Sequence, residues 1–345
     1  MPSTWPRHMD PADRVSLVQG AMPNVAQVWI RTPEDPSTPF LVESVTDSSL
    51  PGIHAVFGAG RPLGTAVVQR LRTVGERARA VVFDQSQVSN RFDPSVETVV
   101  ADPTNSQSVE RACRGATVIY NCFEPPLSRW RELTTKVNSD LLLIAINGRA
   151  ALVMVSRLFN SEGENQSMEA EALEAYRTGV GKAVVAQIPQ PYGPGLVGGA
   201  IPDVFDAVIK GEKAYWPGPL DVRRSMVYSL DAADALVGLA RNEFAYGRTW
   251  SVAGPGPLTG RQFTETAFRA AEKTPQIGSG PRGPVAKVLG AHRGTPYDYE
   301  VEFVLDGSAF SLAFPGFSFT PHDTAIAATL EWYRDRIELR QKLST

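Results

Sequence analysis

A short apolar run that leads into three glycines is the feature that most restricts how this chain can fold. Residues 53–57 read IHAVF, the glycines are Gly58, Gly60 and Gly64, and residues 65–71 (TAVVQRL) have the apolar spacing of an amphipathic helix. A strand that passes through a glycine turn into a helix begins a βαβ unit. The third glycine follows the second by four positions instead of the usual three, so the spacing is unusual.

Each glycine has a physical role in such a turn. Gly58 permits a tight turn with positive φ, Gly60 lets a pyrophosphate approach the backbone, and Gly64 lets the helix pack closely on the strand. The next strand, predicted at Ala78–Phe83, ends in Asp84. An acidic residue about 20 positions beyond the motif can hydrogen-bond a ribose. The pattern therefore favours a dinucleotide site over a strand–turn–helix that binds nothing.

Strands and helices continue to alternate beyond this unit. Further strands are predicted at Glu97–Asp102, Ala116–Cys122, Ala150–Ser156 and Lys182–Ile188, and helices at Ser106–Ala112, Leu127–Asn147 and Ser167–Tyr176. Such alternation predicts an α/β fold, a Rossmann-type doubly wound parallel sheet with helices on both faces. Ligands of such sheets bind at the carboxyl ends of the strands.

Three regions are predicted from the pattern. Residues 1–50 form an N-terminal extension with two β-like runs, interpreted as a surface hairpin, with a dimer element or a lid as the alternative. Residues 51–195 form the nucleotide domain. Residues 196–345, with short strands between Gly and Pro, form a smaller α+β substrate lobe, partly interleaved with the sheet. Thr259 and Asp231 are predicted helix N-caps in this lobe.

Composition excludes several classes of protein. The net charge is −3 over 345 residues, which gives no electrostatic basis for binding nucleic acid or an anionic membrane. No run reaches the roughly 18 apolar residues of a membrane helix, and the four histidines and two cysteines show no metal-ligand spacing. Cys113 and Cys122 fit buried, reduced thiols. We expect a cytoplasmic protein with a small-molecule partner and no metal.

From residue 53 onward the chain resembles the extended or atypical short-chain dehydrogenase/reductase family, in its NAD-dependent epimerase/dehydratase branch. Besides the glycine turn, the resemblance is carried by short motifs in family order: ADPT at 101–104, YNCFEPP at 120–126, PYGPG at 191–195, SMVYSLDAADA at 225–235 and TWSVAG at 249–254. The resemblance implies NAD or NADP as cofactor and a small-molecule substrate. It is also compatible with a homodimer.

The resemblance also implies which residues bind the cofactor. The implied positions are Gly58, Gly60, Leu63 and Gly64 at the pyrophosphate, Asp102 at the adenine, Asn121, Cys122 and Phe123 along a ribose, and Pro191 and Tyr192 at the nicotinamide. Asp84 would take the ribose hydroxyls and so favour NAD. Val82 or Phe83 hold that position in the alternative alignment, and Arg61 would serve the 2′-phosphate of NADP. A turn that no longer binds cofactor is a further alternative.

The family's catalytic pair is missing. Its tyrosine and lysine stand four residues apart on a helix, yet none of the nine tyrosines has a lysine four positions later. Alignment puts Glu164 at the tyrosine and Met168 at the lysine. Ser156, Glu164 and Tyr192 are the predicted catalytic residues, and other candidates near strand ends are Glu124, Arg157, Glu162 and Tyr228. Arg223 and Arg224 are interpreted as a surface pair, with binding of an anionic substrate as the alternative.

Two functions follow from these residues. The first is an enzyme with non-standard chemistry on a small organic molecule, whether isomerisation, cyclisation, elimination or redox with a substitute acid. The second is a non-catalytic NAD(P) sensor or scaffold. The fold is compatible with both, because function depends on the site.

Overall fold

Most of the chain folds into alternating strands and helices. The computed structural model describes residues 25–30, 40–45, 52–84, 92–125, 129–157, 164–196, 199–280 and 299–342. The strands are β1 (Val25–Ile30), β2 (Phe40–Val45), β3 (Ile53–Phe57), β4 (Arg77–Val82), β5 (Glu97–Val100), β6 (Ala116–Asn121), β7 (Ala151–Arg157), β8 (Lys182–Ile188), β9 (Gln190–Tyr192), β10 (Ala214–Trp216), β11 (Arg223–Tyr228), β12 (Thr249–Ser251), β13 (Pro257–Thr259) and β14 (Ile277–Ser279).

The helices cover the sheet and build the second half of the chain. They are α1 (Pro62–Thr73), α2 (Ser106–Cys113), α3 (Trp130–Gly148), α4 (Glu164–Arg177), α5 (Ala200–Lys210), α6 (Ser229–Ala240), α7 (Gly260–Ala270), α8 (Ser308–Ala313) and α9 (His322–Lys342). Two compact units are present, Met1–Ser49 and Leu50–Thr345. In the first unit, β1 and β2 form an antiparallel pair. Their bounds, 25–30 and 40–45, are the same as those of the two β-like runs predicted from the sequence.

The main sheet has seven strands in the order β12-β8-β7-β6-β3-β4-β5, and every neighbouring pair is parallel. The chain runs outward from β3 to β5 and then crosses back to β6 on the other side of β3. The carboxyl ends of β3 and β6 are therefore neighbours at the point where the strand order reverses, which is where open α/β sheets bind ligands. The predicted Rossmann-type fold is confirmed.

Two apolar cores stabilise the larger unit. The first lies between the sheet and helices α2 to α4, where Phe57, Ile119 and Leu141 are fully buried. The second lies in the C-terminal lobe, where α5, α7 and α9 enclose Phe205, Trp216 and Phe263. Both Cys113 and Cys122 are buried free thiols, as predicted. Burial of a large apolar side chain contributes about 1.5–3 kcal/mol.

Strands exchange between the two halves of this unit. The three-stranded sheet β13-β11-β9 takes β9 away from the half that contains the main sheet, with Pro191 opposite Val227. In the other direction, β12 joins the edge of the main sheet beside β8, with Trp250 opposite Ala186. Residue 195 therefore separates the two halves in sequence but not in their sheets.

The two predicted N-caps have different outcomes. Thr259 caps α7 through a complete capping box with Gln262, as predicted. The prediction for Asp231 was wrong, because α6 begins two residues earlier, at Ser229. The Asp231 carboxylate instead accepts hydrogen bonds from the backbone and the hydroxyl of Thr320, both at 2.7 Å. The Asp231 side chain therefore bonds a residue distant in sequence and not the N-terminus of its own helix, where the local pattern predicted it.

Arg224 is not part of a surface pair. Arg223 is exposed, but Arg224 is only 3% exposed. Its guanidinium donates to the carbonyl of Val301 at 3.0 Å and lies over the ring of Tyr299, 4.9 Å from the centroid. Alternation along β11 turns successive side chains to opposite faces, which explains why neighbouring arginines have such different surroundings.

Candidate dinucleotide cradle and acid–base site

The glycine turn is a tight connection between β3 and α1. Gly58 has φ +91°, and the backbone N–H groups of Gly58 and Ala59 both donate to the carbonyl of Val81 at 3.0 Å. A β-carbon on Gly58 would lie 2.5 Å from the carbonyl oxygen of Cys122. The position therefore requires glycine both for its φ and for the close approach of β6.

Gly64 fits the role that the sequence predicts for it. A β-carbon there would collide with the carbonyl of Gly58, so the first turn of α1 packs directly on the glycine turn. The neighbouring Leu63 side chain is fully buried and anchors the same turn in the core. A contribution of Leu63 to cofactor binding would therefore come from its backbone. The role of Gly60 at the pyrophosphate stays a prediction.

The N-terminus of α1 has the charge pattern of an anion site. Pro62 occupies the first turn, no acidic residue lies in that turn, and Arg61 is the N-cap residue without a side-chain cap. The Arg61 Nε is buried and makes no hydrogen bond within the described part of the chain. Unpaired N–H groups and the helix dipole favour a phosphate here. Gly195, after β9, approaches the same place, since its β-carbon would lie 3.9 Å from the Cα of Pro62.

The predicted adenosine end lies along the carboxyl ends of β4 and β5. Val82 is fully buried and Phe83 packs edge-on against Phe123 at 4.9 Å, whereas Asp84 is exposed. Among these three aligned positions, Asp84 is the most exposed to solvent. The Asp102 carboxylate accepts from the hydroxyl and the backbone of Thr104, at 2.7 and 2.8 Å, and these hydrogen bonds lower its pKa.

The end of β6 is fixed by a side-chain amide pair. Asn121 is 4% exposed, and its Nδ2 donates to the Oδ1 of Asn138 on α3 at 2.6 Å. Its Oδ1 accepts from the backbone N–H of Phe123 at 3.2 Å. The backbone N–H of Cys122 donates to the carbonyl of Phe57 at 2.9 Å. These bonds keep residues 121–123 beside the glycine turn, where the resemblance puts a cofactor ribose.

Ser156 has a partner that the sequence analysis missed. Ser156 lies near the end of β7, is 4% exposed, and its hydroxyl donates to the carboxylate of Glu169 on α4. Partial burial raises the pKa of Glu169, while hydrogen bonds from Ser156 and Gln187 oppose that rise. Gln187 in turn accepts from the hydroxyl of Ser251 on β12 at 3.1 Å. Side chains near the carboxyl ends of β7 and β8 therefore meet at one carboxylate, and β12 is linked to it through Gln187.

Helical spacing is the signal that would have indicated Glu169. Among the side chains of α4 that the structure describes, Met168, Ala172 and Ala175 are buried, and Glu169 lies three residues before Ala172 on the edge of that stripe. A lone carboxylate at the margin of an apolar stripe is a candidate functional group. Met168 itself is buried against α3, with its sulfur 3.7 Å from the hydroxyl of Ser139. The assignment of Met168 to the lysine position stays a prediction.

A small cavity lies next to this pair. Its volume is about 30 Å³, and its lining combines apolar and polar side chains: Asn121, Phe123, Trp130, Thr134, Asn138, Met154, Val155, Ser156 and Glu169. The cavity thus brings together three of the predicted site residues, Asn121, Phe123 and Ser156. Its size admits one or two water molecules.

Tyr192 lies in the second core. It is 1% exposed, its hydroxyl is 2.8 Å from the Nδ1 of His322, and its ring packs edge-on against Phe263 at 5.3 Å. The Nε2 of His322 lies 2.8 Å from the carbonyl of Gly256. Burial raises the pKa of Tyr192 and lowers that of His322. These contacts are those of a satisfied structural tyrosine, and a catalytic role for Tyr192 stays a prediction.

Other predicted residues have simpler outcomes. Glu164 is the first residue of α4 and Arg157 the last residue of β7, but the side chains of both lie outside the described part of the structure. Glu162 lies outside the described residues altogether. Pro191 is buried in β9. Among the described residues, no group of three or more His, Cys, Asp or Glu side chains is arranged to hold a metal. The helices in the described ranges include none with the length and apolarity to cross a bilayer.

Solved structures share this architecture at low sequence identity. The epimerase Mth375 from Methanothermobacter thermautotrophicus gives a TM-score of 0.70 at 12% identity, over 84% of this chain and 94% of that one. UDP-glucose 4-epimerase from Thermotoga maritima gives 0.67 at 16%, over 83% and 99%. dTDP-glucose 4,6-dehydratase from Bacillus anthracis, solved in complex with NAD, gives 0.67 at 17%, over 83% and 97%.

The chain therefore has the fold of the NAD-dependent epimerases and dehydratases of the short-chain dehydrogenase/reductase type. Neither a family model nor a curated protein sequence matches it.

Proposed function

We propose that this protein is an enzyme that binds a nicotinamide dinucleotide at the glycine turn and transfers a proton through Ser156 and Glu169. The observation that carries the proposal is the Ser156–Glu169 hydrogen bond beside a cavity at the carboxyl end of the sheet. A serine hydroxyl and a partly buried carboxyl can exchange protons with a bound hydroxyl or carbonyl group.

The residues of the cradle fit a dinucleotide. Gly58 and Gly64 leave no room for side chains where the strand, the turn and the helix meet, and the first turn of α1 carries no acidic residue. Arg61 and Asp84 would contact the adenosine half, and residues 121–123 would follow a ribose. When bound, such a cofactor supplies hydride transfer.

The protein's own contribution is a path for one proton. As a substrate hydroxyl gives its proton to the Oγ of Ser156, the Ser156 proton passes along the existing hydrogen bond to Glu169. The serine returns to its neutral form and the carboxylate becomes a carboxylic acid, while the negative charge moves from the carboxylate to the substrate oxygen, so that charge and atoms balance. Burial favours that acid, because it disfavours the charged form. This path replaces the proton transfer of the missing tyrosine–lysine pair.

The substrate class rests on the names of the similar structures. Two of them act on UDP-glucose or dTDP-glucose by name. A nucleotide-linked sugar, which offers many hydroxyl groups, is therefore the first class to test. Isomerisation, elimination and redox chemistry on such a molecule all need the proton step described above.

A dinucleotide sensor is the second candidate. The absence of a Tyr-x-x-x-Lys sequence and a cavity of only about 30 Å³ beside Ser156 favour it. Pockets for small organic ligands usually have several hundred Å³.

Calorimetric titration with NAD⁺, NADH, NADP⁺ and NADPH, followed by incubation with UDP-glucose and dTDP-glucose, tests both functions. Binding with product formation that Glu169→Gln lowers at least about 100-fold supports the enzyme. Binding without product from any substrate of this class supports the sensor. If none of the four dinucleotides binds, both proposals are wrong. Glu171→Gln, on the exposed side of α4, is the matched control.

A further inference from the structure

The hydroxyl of Thr134 is an unsatisfied polar group in the cavity beside Glu169. Its Oγ1 is buried and has no hydrogen-bond partner within the described part of the chain. Leaving a buried hydroxyl unpaired costs about 1–3 kcal/mol. Native structures therefore satisfy such groups, with protein or with water.

Other buried threonines on helices show how Thr134 differs. The hydroxyls of Thr264 and Thr329 each donate to the carbonyl four residues earlier, at 2.8 and 2.7 Å. This local bond is the usual solution for threonine within a helix. Thr134 has helical residues around it on α3 but makes no such bond, and it lines the cavity instead.

Several other polar groups of the lining have partners within the protein. Asn121 donates to Asn138 and accepts from the backbone of Phe123. Ser156 donates to Glu169. On the same helix as Thr134, the Lys136 ammonium and the Asp140 carboxylate pair with each other at 2.6 Å. The group that satisfies Thr134 must therefore be small enough to enter the cavity. Glu169 lines the same cavity and retains capacity to accept a hydrogen bond from it.

We propose that Thr134 holds one ordered water molecule against the carboxyl group of Glu169, and that Thr134 is thereby a positioning residue for that carboxyl. The cavity volume of about 30 Å³ exceeds the 10–15 Å³ that one water needs, and the lining offers the two to four polar partners that such a water requires. The water site follows from the cavity and its polar groups alone and does not depend on the proposed function. Its importance for proton transfer rests on the proposed function.

The water bond has a measurable effect on Glu169. A water that donates a hydrogen bond to the carboxylate favours the charged form, so its loss raises the pKa of Glu169. Thr134→Val keeps the shape of the side chain and removes the hydroxyl, whereas Thr134→Ser keeps the hydroxyl. Thr135→Val is the matched control, because Thr135 is the exposed neighbour on the same helix.

Infrared titration of the cofactor-free protein measures the effect directly. The Glu169 carboxyl band is identified as the difference between the wild type and Glu169→Gln. For Thr134→Val we expect the midpoint to rise by roughly half a pH unit or more, and for Thr134→Ser and Thr135→Val we expect the wild-type midpoint. A high-resolution crystal structure should show water density between Thr134 and Glu169.

A cooperative thermal transition shows whether Thr134→Val is folded. The proposal is overturned if the folded variant has the wild-type midpoint for Glu169, or if the crystal structure shows no water density between Thr134 and Glu169. Failure of the proposed function has a different readout. The titration uses no dinucleotide and no substrate, so a protein that binds neither can still show the Thr134-dependent shift.

Discussion

Gly58 and Cys122 are in backbone contact across the switch point of the sheet, where the Cys122 carbonyl oxygen lies 2.5 Å from the site of a Gly58 β-carbon. The two residues follow β3 and β6, the strands between which the chain changes direction. The close approach leaves no space for a side chain between the ends of these two strands. Any side chain at position 58 must therefore push apart the two strands that form the candidate cradle.

Gly58→Ala tests this contact. We expect a loss of at least about 2 kcal/mol in the free energy of unfolding, because the variant combines an unfavourable φ with a backbone collision. Gly75→Ala is the control, since Gly75 has φ +80° but open space around its β-carbon site, and it should cost about 1 kcal/mol. Urea denaturation measures both. Equal losses would show that the contact with Cys122 contributes nothing.

Glu169→Gln should change how stability depends on pH. Burial raises the folded-state pKa of Glu169. The stability that the protonated carboxyl contributes is therefore fully present below the unfolded-state pKa, and it is lost as pH rises through the folded-state pKa. The uncharged glutamine does not titrate. The variant should therefore gain thermal stability relative to the wild type at neutral pH, and this gain should shrink toward pH 4. A difference in melting temperature that stays constant from pH 4 to 8 would contradict the expectation.

Tyr192→Phe separates a structural from a catalytic role. Loss of the hydroxyl leaves the Nδ1 of His322 without its partner and should cost about 1 kcal/mol in urea denaturation. Dinucleotide binding should not change. Tyr215→Phe serves as a control for removal of a phenol hydroxyl elsewhere in the lobe. Unchanged stability together with lost turnover would instead support the predicted catalytic role.

His322 should make the lobe sensitive to mild acid. Burial lowers its folded-state pKa, so its contribution to stability is present above the unfolded-state value of 6.5 and is lost as pH falls through the folded-state pKa. Thermal unfolding between pH 7 and pH 5 measures this loss, and His322→Gln should reduce it. The same pH dependence in the variant and the wild type would assign the effect to another group.

We predict that Asp84 and Arg61 influence cofactor choice in opposite ways. If Asp84 takes the ribose hydroxyls, Asp84→Asn should weaken NAD⁺ binding about tenfold, equivalent to about 1.4 kcal/mol. Arg61→Ala should weaken NADP⁺ more than NAD⁺, because a 2′-phosphate needs the cation. Calorimetry with both cofactors measures each effect. A wild type that prefers NADP⁺, with Asp84→Asn unchanged toward NAD⁺, would reverse the expected preference.

Local patterns were enough to predict most elements of the main seven-stranded sheet and its helices. The bounds of β8 are those predicted, and α2 and β6 differ by one residue at one end. These elements have strong periodicity and glycine or polar residues at their ends, so local and tertiary preferences agree. The roles of Gly58 and Gly64 follow from the same local logic, because a glycine turn has few solutions.

Side-chain partners distant in sequence were not predictable. Asp231 has the sequence of an N-cap but bonds Thr320, 89 positions away. Arg224 looks like a surface residue beside Arg223, yet it is enclosed by Tyr299 and Val301. Glu169 meets Ser156 only because α4 packs over β7. In each case the decisive neighbour is set by the packing of elements, which no short motif encodes.

The edge position of β12 limits how this protein can be divided. Thr249–Ser251 provides the hydrogen-bonding partner of Val185, Ala186 and Gln187 on β8. A fragment ending at residue 195 would leave β8 as a bare edge of apolar residues, the kind of edge that pairs with other chains. We therefore expect the half up to residue 195 not to be a separable module, because the strand that covers its edge comes more than fifty positions after the apparent boundary.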